Sequence, residues 1–164
     1  MMEAAVIPPF ERFYSEHRDE VFGLLVRRLG RERAEDAFQE TFLRALRAYA
    51  ALRHGRHLRA WVLTIARNVA IDSHRRDRPA VELTRQEQAD GLSLLAVELP
   101  HRPAYAELEH LTDDLPPTER AAVVLRYAYD LPYAAIAAAL GSSEEAARQA
   151  ASSGIRRLRR KEHA

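Results

Sequence analysis

A chain of 164 residues that is 47% hydrophobic and 30% charged can bury one ordinary core or two small ones, and is too charged for a bilayer interior. No run approaches the roughly 20 apolar residues that span a membrane, residues 1–10 lack the basic-then-apolar order of a secretory leader, and zero cysteines exclude disulfides, thiolate metal sites and a thiol nucleophile. The net charge of +1 favours no partner, and none of the six glycines lies in a phosphate-cradling pattern.

Phe10, Phe13, Val21, Leu24, Leu25 and Leu29 mark a first helix, with Pro8 and Pro9 ahead of it and Gly30 to end it. Ala34, Ala37, Phe38, Thr41, Phe42, Ala45, Leu46 and Tyr49 repeat at helical spacing and predict one continuous apolar face. A basic loop, Arg53-His54-Gly55-Arg56, leads to a third helix through Leu58, Trp61, Val62, Ile65, Ala66 and Val69, with Trp61 expected in the core. Short connections between three helices predict a compact domain over residues 8–78. Pro79 breaks the pattern, and residues 79–103 are acidic and weakly periodic. They read as a flexible linker holding at most a short helix around residues 92–97. Periodicity resumes at Ala104, Leu108, Leu111 and Leu115, and Pro116-Pro117 introduces a helix with its N-cap expected at Thr118. The fold class expected is all-α: two small helical domains, residues 8–78 and 104–162, joined by the acidic linker.

The segment from Leu131 to Gln149 has the layout of a helix-turn-helix. Ala137 is small where the helices approach, and Gly141, four positions on, suits a positive φ. Ile136 and Leu140 face inward, and Ser142 or Ser143 can cap the second helix. An ordinary helical hairpin with a glycine C-cap has the same spacing. Charge is distributed in blocks: residues 52–78 hold seven arginines against Asp72 and Asp77, residues 80–119 hold nine acids against Arg85 and Arg102, and residues 155–162 hold five cations against Glu162. In the second helix of the motif Ser143, Glu144, Arg148 and Gln149 occupy the cap and first turns, where side chains reach base edges. Arg156, Arg157, Arg159 and Arg160 come later and suit phosphates, while Gly154 is expected to weaken the helix. In the other domain Thr64, Asn68, Ile71 and Arg75 share the face opposite the core seam, beside Arg56, Arg67 and Arg76. Such a face suits opened DNA, with a solvated basic surface as the alternative. Asn68 is expected at the surface, so its truncation should barely alter folding.

Three ordered segments carry a family resemblance. Ala34-Glu35-Asp36-Ala37-Phe38-Gln39-Glu40-Thr41-Phe42-Leu43-Arg44-Ala45 follows Phe10-Glu11-Arg12-Phe13-Tyr14. Next comes Arg59-Ala60-Trp61-Val62-Leu63-Thr64-Ile65-Ala66-Arg67-Asn68-Val69-Ala70-Ile71-Asp72, with its basic run Arg75, Arg76 and Arg78. Last are Leu115-Pro116-Pro117-Thr118-Glu119-Arg120, Val124-Leu125-Arg126-Tyr127 and the Tyr133 to Gly141 stretch. Together they resemble the sigma-70 family of bacterial transcription initiation factors, in the two-domain extracytoplasmic-function form. The resemblance implies binding of RNA polymerase core, its β and β′ subunits, through Glu35, Asp36, Gln39, Glu40 and Leu43. It also implies −10 promoter contacts through Arg56, Thr64, Arg67, Asn68, Ile71, Arg75 and Arg76, and −35 contacts through Ser143, Glu144, Arg148, Gln149, Arg156, Arg157 and Arg160. A cytoplasmic, nucleoid-associated protein with no cofactor, no metal and no membrane insertion follows, with an anti-sigma factor as a further partner that the family allows. The chain departs from the family at Ala146-Ala147, where a Thr-Val pair is frequent, and at Ala134-Ala135, where an acidic residue is.

Two other readings compete. A one-component helix-turn-helix repressor or activator explains the C-terminal motif but not a second DNA-suited face around Asn68. An enzyme is not indicated: His54 and His57 lie in a Gly-containing basic loop with no carboxylate or third ligand beside them, which makes them surface histidines.

Overall fold

A computed structural model describes residues 5–77 and 111–164 of the chain. Pro9 takes an extended backbone (φ −56°, ψ 147°), and its carbonyl accepts the amides of Arg12 and Phe13 at 3.0 and 3.1 Å, so α1 (Phe10–Leu29) begins directly behind it. Gly30 alone connects α1 to α2 (Arg31–Tyr49). Its amide donates to the Val26 carbonyl at 2.9 Å and its carbonyl accepts from Ala34 at 3.0 Å, so one residue closes one helix and opens the next. The cost is a φ of 80° with ψ of 160°, a region essentially reserved for glycine. After the basic loop, α3 (Leu58–Asp77) packs across both. Phe13, fully buried, is the hub: its ring lies 5.6 Å from Phe10, 5.2 Å from Tyr49, 6.3 Å from Phe42 and 5.7 Å from Trp61. Trp61 is fully buried, as the spacing implies.

In the C-terminal half, α4 (Pro117–Tyr127) starts two residues earlier than the sequence suggests. Pro116 is its N-cap and Pro117 its first residue, so Thr118 lies inside the helix and caps nothing. The proline ring presets the helical φ and lacks only an N–H that would have been orphaned there, which fixes the start without a side-chain cap. α5 (Tyr133–Leu140) ends at Gly141, whose φ of 62° and ψ of 36° are left-handed, and α6 (Glu144–Glu162) opens with Ser143 Oγ accepting the Ala146 amide at 3.1 Å. Ile136 and Leu140 are buried, as is Ala137. Gly154 is structural: a Cβ there would lie 2.6 Å from Val123 Cγ2, so its absence lets α6 approach α4 closely. Arg120 is buried and donates to Asp113 at 2.9 Å, which explains an acidic residue just before the double proline.

Six helices lie wholly within the described residues, and no strand occurs among them. The acidic linker, the short helix expected around residues 92–97, and Ala104 and Leu108 fall outside the described residues. The two three-helix units are not held apart: α5 lies on α2, and both α4 and α5 touch α3, so one apolar cluster runs through both units.

Candidate nucleic-acid interface

The N-terminal half of α6 presents its polar side chains to solvent. Ser143, Glu144, Glu145, Arg148 and Gln149 are all exposed on the helix's first two turns. Arg148 is occupied by its own helix: it bonds Glu145 at 3.1 Å and Glu144 at 3.3 Å, and its guanidinium lies over the Tyr133 ring, 5.1 Å from the centroid. Gln149 donates to Glu145 at 3.4 Å. Exposed pairs of this kind contribute ~0–1 kcal/mol each, so a base edge or phosphate can displace them. Further along, Ser153, Arg156, Arg157, Arg159 and Arg160 line an open cleft with Glu119 of α4, and Arg157 pairs with Glu119 at 2.8 Å. This is a basic wall beyond the first turns, where a helix lying in the major groove leaves the bases for the backbone.

The α3 face differs from the sequence expectation. Arg75 and Arg76 are exposed at its C-terminal end, and Arg56 is half-buried in the loop. Thr64, Arg67, Asn68 and Ile71, however, are 5%, 3%, 3% and 2% exposed. Asn68 is therefore not a surface residue. Its Nδ2 donates to the Leu140 carbonyl at 3.1 Å, and Arg67 reaches the Pro117 carbonyl at 3.5 Å. Thr64 Oγ1 turns back to its own helix, donating to the Ala60 carbonyl at 2.8 Å. The face is covered by the other unit, an arrangement that helical periodicity within α3 has no means of reporting. Truncating Asn68 removes a buried hydrogen bond, worth ~1 kcal/mol, as well as any base contact.

Glu35, Asp36, Gln39 and Leu43 are exposed on the outer side of α2. Leu46, placed on the apolar face by its spacing, is 51% exposed and sits one turn beyond Leu43, itself 47% exposed. The pair forms an apolar strip beside the acids that sequence reasoning missed. Glu40 pairs with Arg44 at 2.9 Å as the i, i+4 spacing implies, but Arg44 is 4% exposed, also bonds Asp72 at 3.0 Å, and packs its guanidinium where a Gly141 side chain would be. Also unforeseen is the grip on the basic loop. The Tyr129 hydroxyl donates to the His57 carbonyl at 2.8 Å, the His54 ring stacks on Tyr129 with centroids 5.9 Å apart, and Arg53 pairs with Asp130 at 3.2 Å. His54 is thus half-buried in a contact between units rather than free at the surface.

Among the described residues no helix is long and apolar enough to cross a membrane, and no group of three His, Cys, Asp or Glu could hold a metal ion.

Two family models match the chain in order: Sigma-70 region 2 over residues 13–79 and Sigma-70, region 4 over residues 105–158. The chain is 32% identical to the ECF RNA polymerase sigma factor BldN of Streptomyces coelicolor, an alignment covering 96% of this chain and 62% of that protein. It is 32% identical to the ECF RNA polymerase sigma factor SigE of Mycolicibacterium smegmatis over 85% of this chain and 56% of that one. It is also 32% identical to the RNA polymerase sigma factor CarQ of Myxococcus xanthus, over 92% of this chain and 87% of that one. The chain therefore spans less than two thirds of the length of BldN and SigE. With both regions present in order and most of CarQ covered, the chain belongs to the sigma-70 family, in its extracytoplasmic-function group.

Proposed function

We propose that this chain directs bacterial RNA polymerase core to specific promoters and assists DNA melting at the start of transcription. Residues 8–78 act as the unit that binds core and reads the −10 element, and residues 104–162 as the unit that reads the −35 element. The observation that supports this most is α6: a capped helix behind a left-handed glycine turn, with Arg148 and Gln149 exposed in its second turn and four arginines further on, in a chain whose other unit matches region 2. Arg148 and Gln149 choose bases, while Arg156, Arg157 and Arg160 neutralise phosphates. Asn68, with Thr64, Arg67, Ile71, Arg56, Arg75 and Arg76 around it, meets the opened strand. Glu35, Asp36, Gln39, Glu40 and Leu43, joined by Leu46, form the surface for the β′ subunit, and core's β subunit and an anti-sigma factor complete the partners. The protein works in the cytoplasm at the nucleoid and catalyses nothing itself.

Transcription from a promoter library, with core polymerase and with or without this chain, tests the proposal. Transcripts starting at a shared promoter sequence only when the chain is present are expected. Tight, sequence-specific duplex binding without core, together with no effect on core's transcription, would instead make it a one-component regulator. In the same assay Arg148→Ala should relax preference at one upstream base pair, and Arg159→Ala with Arg160→Ala should weaken all promoters alike and make the salt dependence shallower.

A further inference from the structure

Resting on the −10 role proposed for Arg56, we propose that residues 5–9 are a positioning strap: they hold the basic loop by its backbone at Gly55 and so fix where Arg56 meets the opened strand. The Gly55 amide donates to the Ala5 carbonyl at 2.7 Å. The strap is tied again at Pro8, whose carbonyl accepts the Tyr49 hydroxyl from the end of α2. The Tyr49 ring in turn stands edge-on to Phe10, with centroids 5.2 Å apart. Between these ties Ile7 packs half-buried against the core, while the Val6 side chain is left to solvent at 88% exposure. Residues ahead of a first helix keep one course only where something ties them down. Here one tie ends α2 and the other lies within the loop, so the strap bridges the two.

This contact is the reason for a glycine at position 55. Among the described glycines only Gly30 and Gly141 have a positive φ, so the φ of Gly55 is open to any L residue. What excludes a side chain is the strap. An added Cβ would overlap the Val6 carbonyl oxygen and lie 2.9 Å from the Val6 carbonyl carbon and 3.1 Å from the Ala5 carbonyl oxygen. All of these are main-chain atoms, so no change of rotamer makes room and the strap itself must lift. Glycine serves here for close approach of two backbones rather than for flexibility.

The hold passes directly to Arg56. Its amide donates to His54 Nδ1 at 3.2 Å, so the amides of residues 55 and 56 are both engaged, one by the strap and one within the loop. His57 follows with a φ of 55°, and its carbonyl accepts the Trp61 amide at 3.0 Å in the first turn of α3. The main chain is thus tied at successive residues from the strap to the helix, and the Arg56 side chain leaves from a fixed root. Strap, loop and α3 belong to one unit, so this hold does not depend on the other. A loosened loop keeps its charge, and with it the attraction to phosphate, but loses the placement that favours one strand position over another.

The chain has no cysteine and Val6 is exposed, so a spin label on Val6→Cys reads the strap in the full chain. Restricted motion is expected in the parent, and fast motion in Gly55→Ala and in Tyr49→Phe, which keeps the ring and removes the hydroxyl tie. In promoter-library transcription with core, both variants should keep the −35 preference of the parent, while the ratio between favoured and disfavoured −10 sequences falls several-fold. The two substitutions together should do little more than either alone, because the strap lifts only once. A glycine needed for folding alone would weaken every promoter alike and leave the two substitutions additive, which would overturn the strap. A label whose motion is the same in parent and variants would also overturn it, as would an unchanged −10 ratio in variants whose label is freed. Arg56→Ala separates the strap from the role it rests on. If Arg56→Ala flattens the −10 ratio and the freed variants do not, the −10 role stands and the strap falls. If Arg56→Ala leaves the ratio unchanged, the role of Arg56 falls and takes the strap with it.

Discussion

Replacing Gly141 by alanine stresses the contact between the two units at one point, and the cost follows from two observations. The backbone there is left-handed (φ 62°, ψ 36°), which costs an L side chain ~1–2 kcal/mol. The new Cβ would also lie 2.5 Å from Arg44 Cζ and 2.6 Å from one of its terminal nitrogens, so either the guanidinium or the turn must move. Moving the guanidinium gives up Glu40 at 2.9 Å and Asp72 at 3.0 Å around a side chain only 5% exposed. Breaking a fully buried pair costs ~3–5 kcal/mol, and this one costs less because Glu40 and Asp72 are 40% and 27% exposed and regain water. Lifting the turn instead gives up the hydrogen bond from Asn68 to Leu140, ~1 kcal/mol. The cheaper route is lifting, so the total expected is about 2–3 kcal/mol, borne mainly by the C-terminal unit. Trp61 is the single tryptophan and is buried in the first unit, so its fluorescence in a urea titration reports that unit while far-ultraviolet circular dichroism reports both. In Gly141→Ala the dichroism transition should move to lower urea and separate from the fluorescence transition. Gly141→Asn keeps the Cβ and tolerates the left-handed region, so it should recover the strain but not the clash. Full recovery by asparagine, or a Gly141→Ala loss under about 0.5 kcal/mol, would refute the packing of Arg44 against this turn.

Gly30→Ala should cost ~1–3 kcal/mol in the same titration although nothing lies within 4 Å of the added Cβ, because the φ of 80° with ψ of 160° is the whole penalty; an unchanged midpoint would mean that α1 and α2 join differently. Gly154→Ala gains ~1 kcal/mol of helix propensity but meets Val123 Cγ2 at 2.6 Å and the Glu119 carbonyl at 3.4 Å, so a net loss of ~1–2 kcal/mol is expected, partly restored by adding Val123→Ala. His17 lies 5.1 Å from the Phe13 ring, and burial is the main reason its pKa falls below the ordinary 6.5, with Arg59 adding to this and Glu16 and Glu20 opposing it. The unfolded chain therefore takes up the proton first, and stability is lost as pH falls through 6.5 toward the lower folded value. Urea midpoints from pH 8 to 5 should drop less in His17→Gln than in the parent, and parallel profiles would count against that role.

Most of the secondary structure is legible in the sequence because local signals agree there. The aromatic and aliphatic spacing of α1, α2 and α3 fits their observed spans, Gly30 ends α1, and the small Ala137, left-handed Gly141 and capping Ser143 are where helix-turn-helix spacing puts them. Thr118 misleads because a threonine after two prolines satisfies a capping pattern that Pro116 and Pro117 already fulfil by backbone geometry. Gly154 reads as a weak helix position because its cost is local, whereas its benefit is the close approach of Val123, 31 residues away in sequence. The same limit governs the site. The polar and basic residues of α3 do share a face, yet Asn68 and Arg67 on it are buried against Leu140 and Pro117, which no periodicity within α3 can reveal. Leu46 falls on the apolar stripe by number and outside it in space, since the stripe at that end of α2 is narrower than the helical repeat permits.

Permanganate reactivity of thymines in a promoter tests the account most directly, because it reads strand opening itself. On a promoter recovered from the library, reactive thymines in the −10 region should appear only when core and this chain are both present. Asn68→Ala should retain the core-bound complex on that promoter while losing most of the reactivity. Reactivity from core alone, or an Asn68→Ala variant that opens the promoter as well as its parent does, would contradict the assignment of α3 as the face that holds the melted strand.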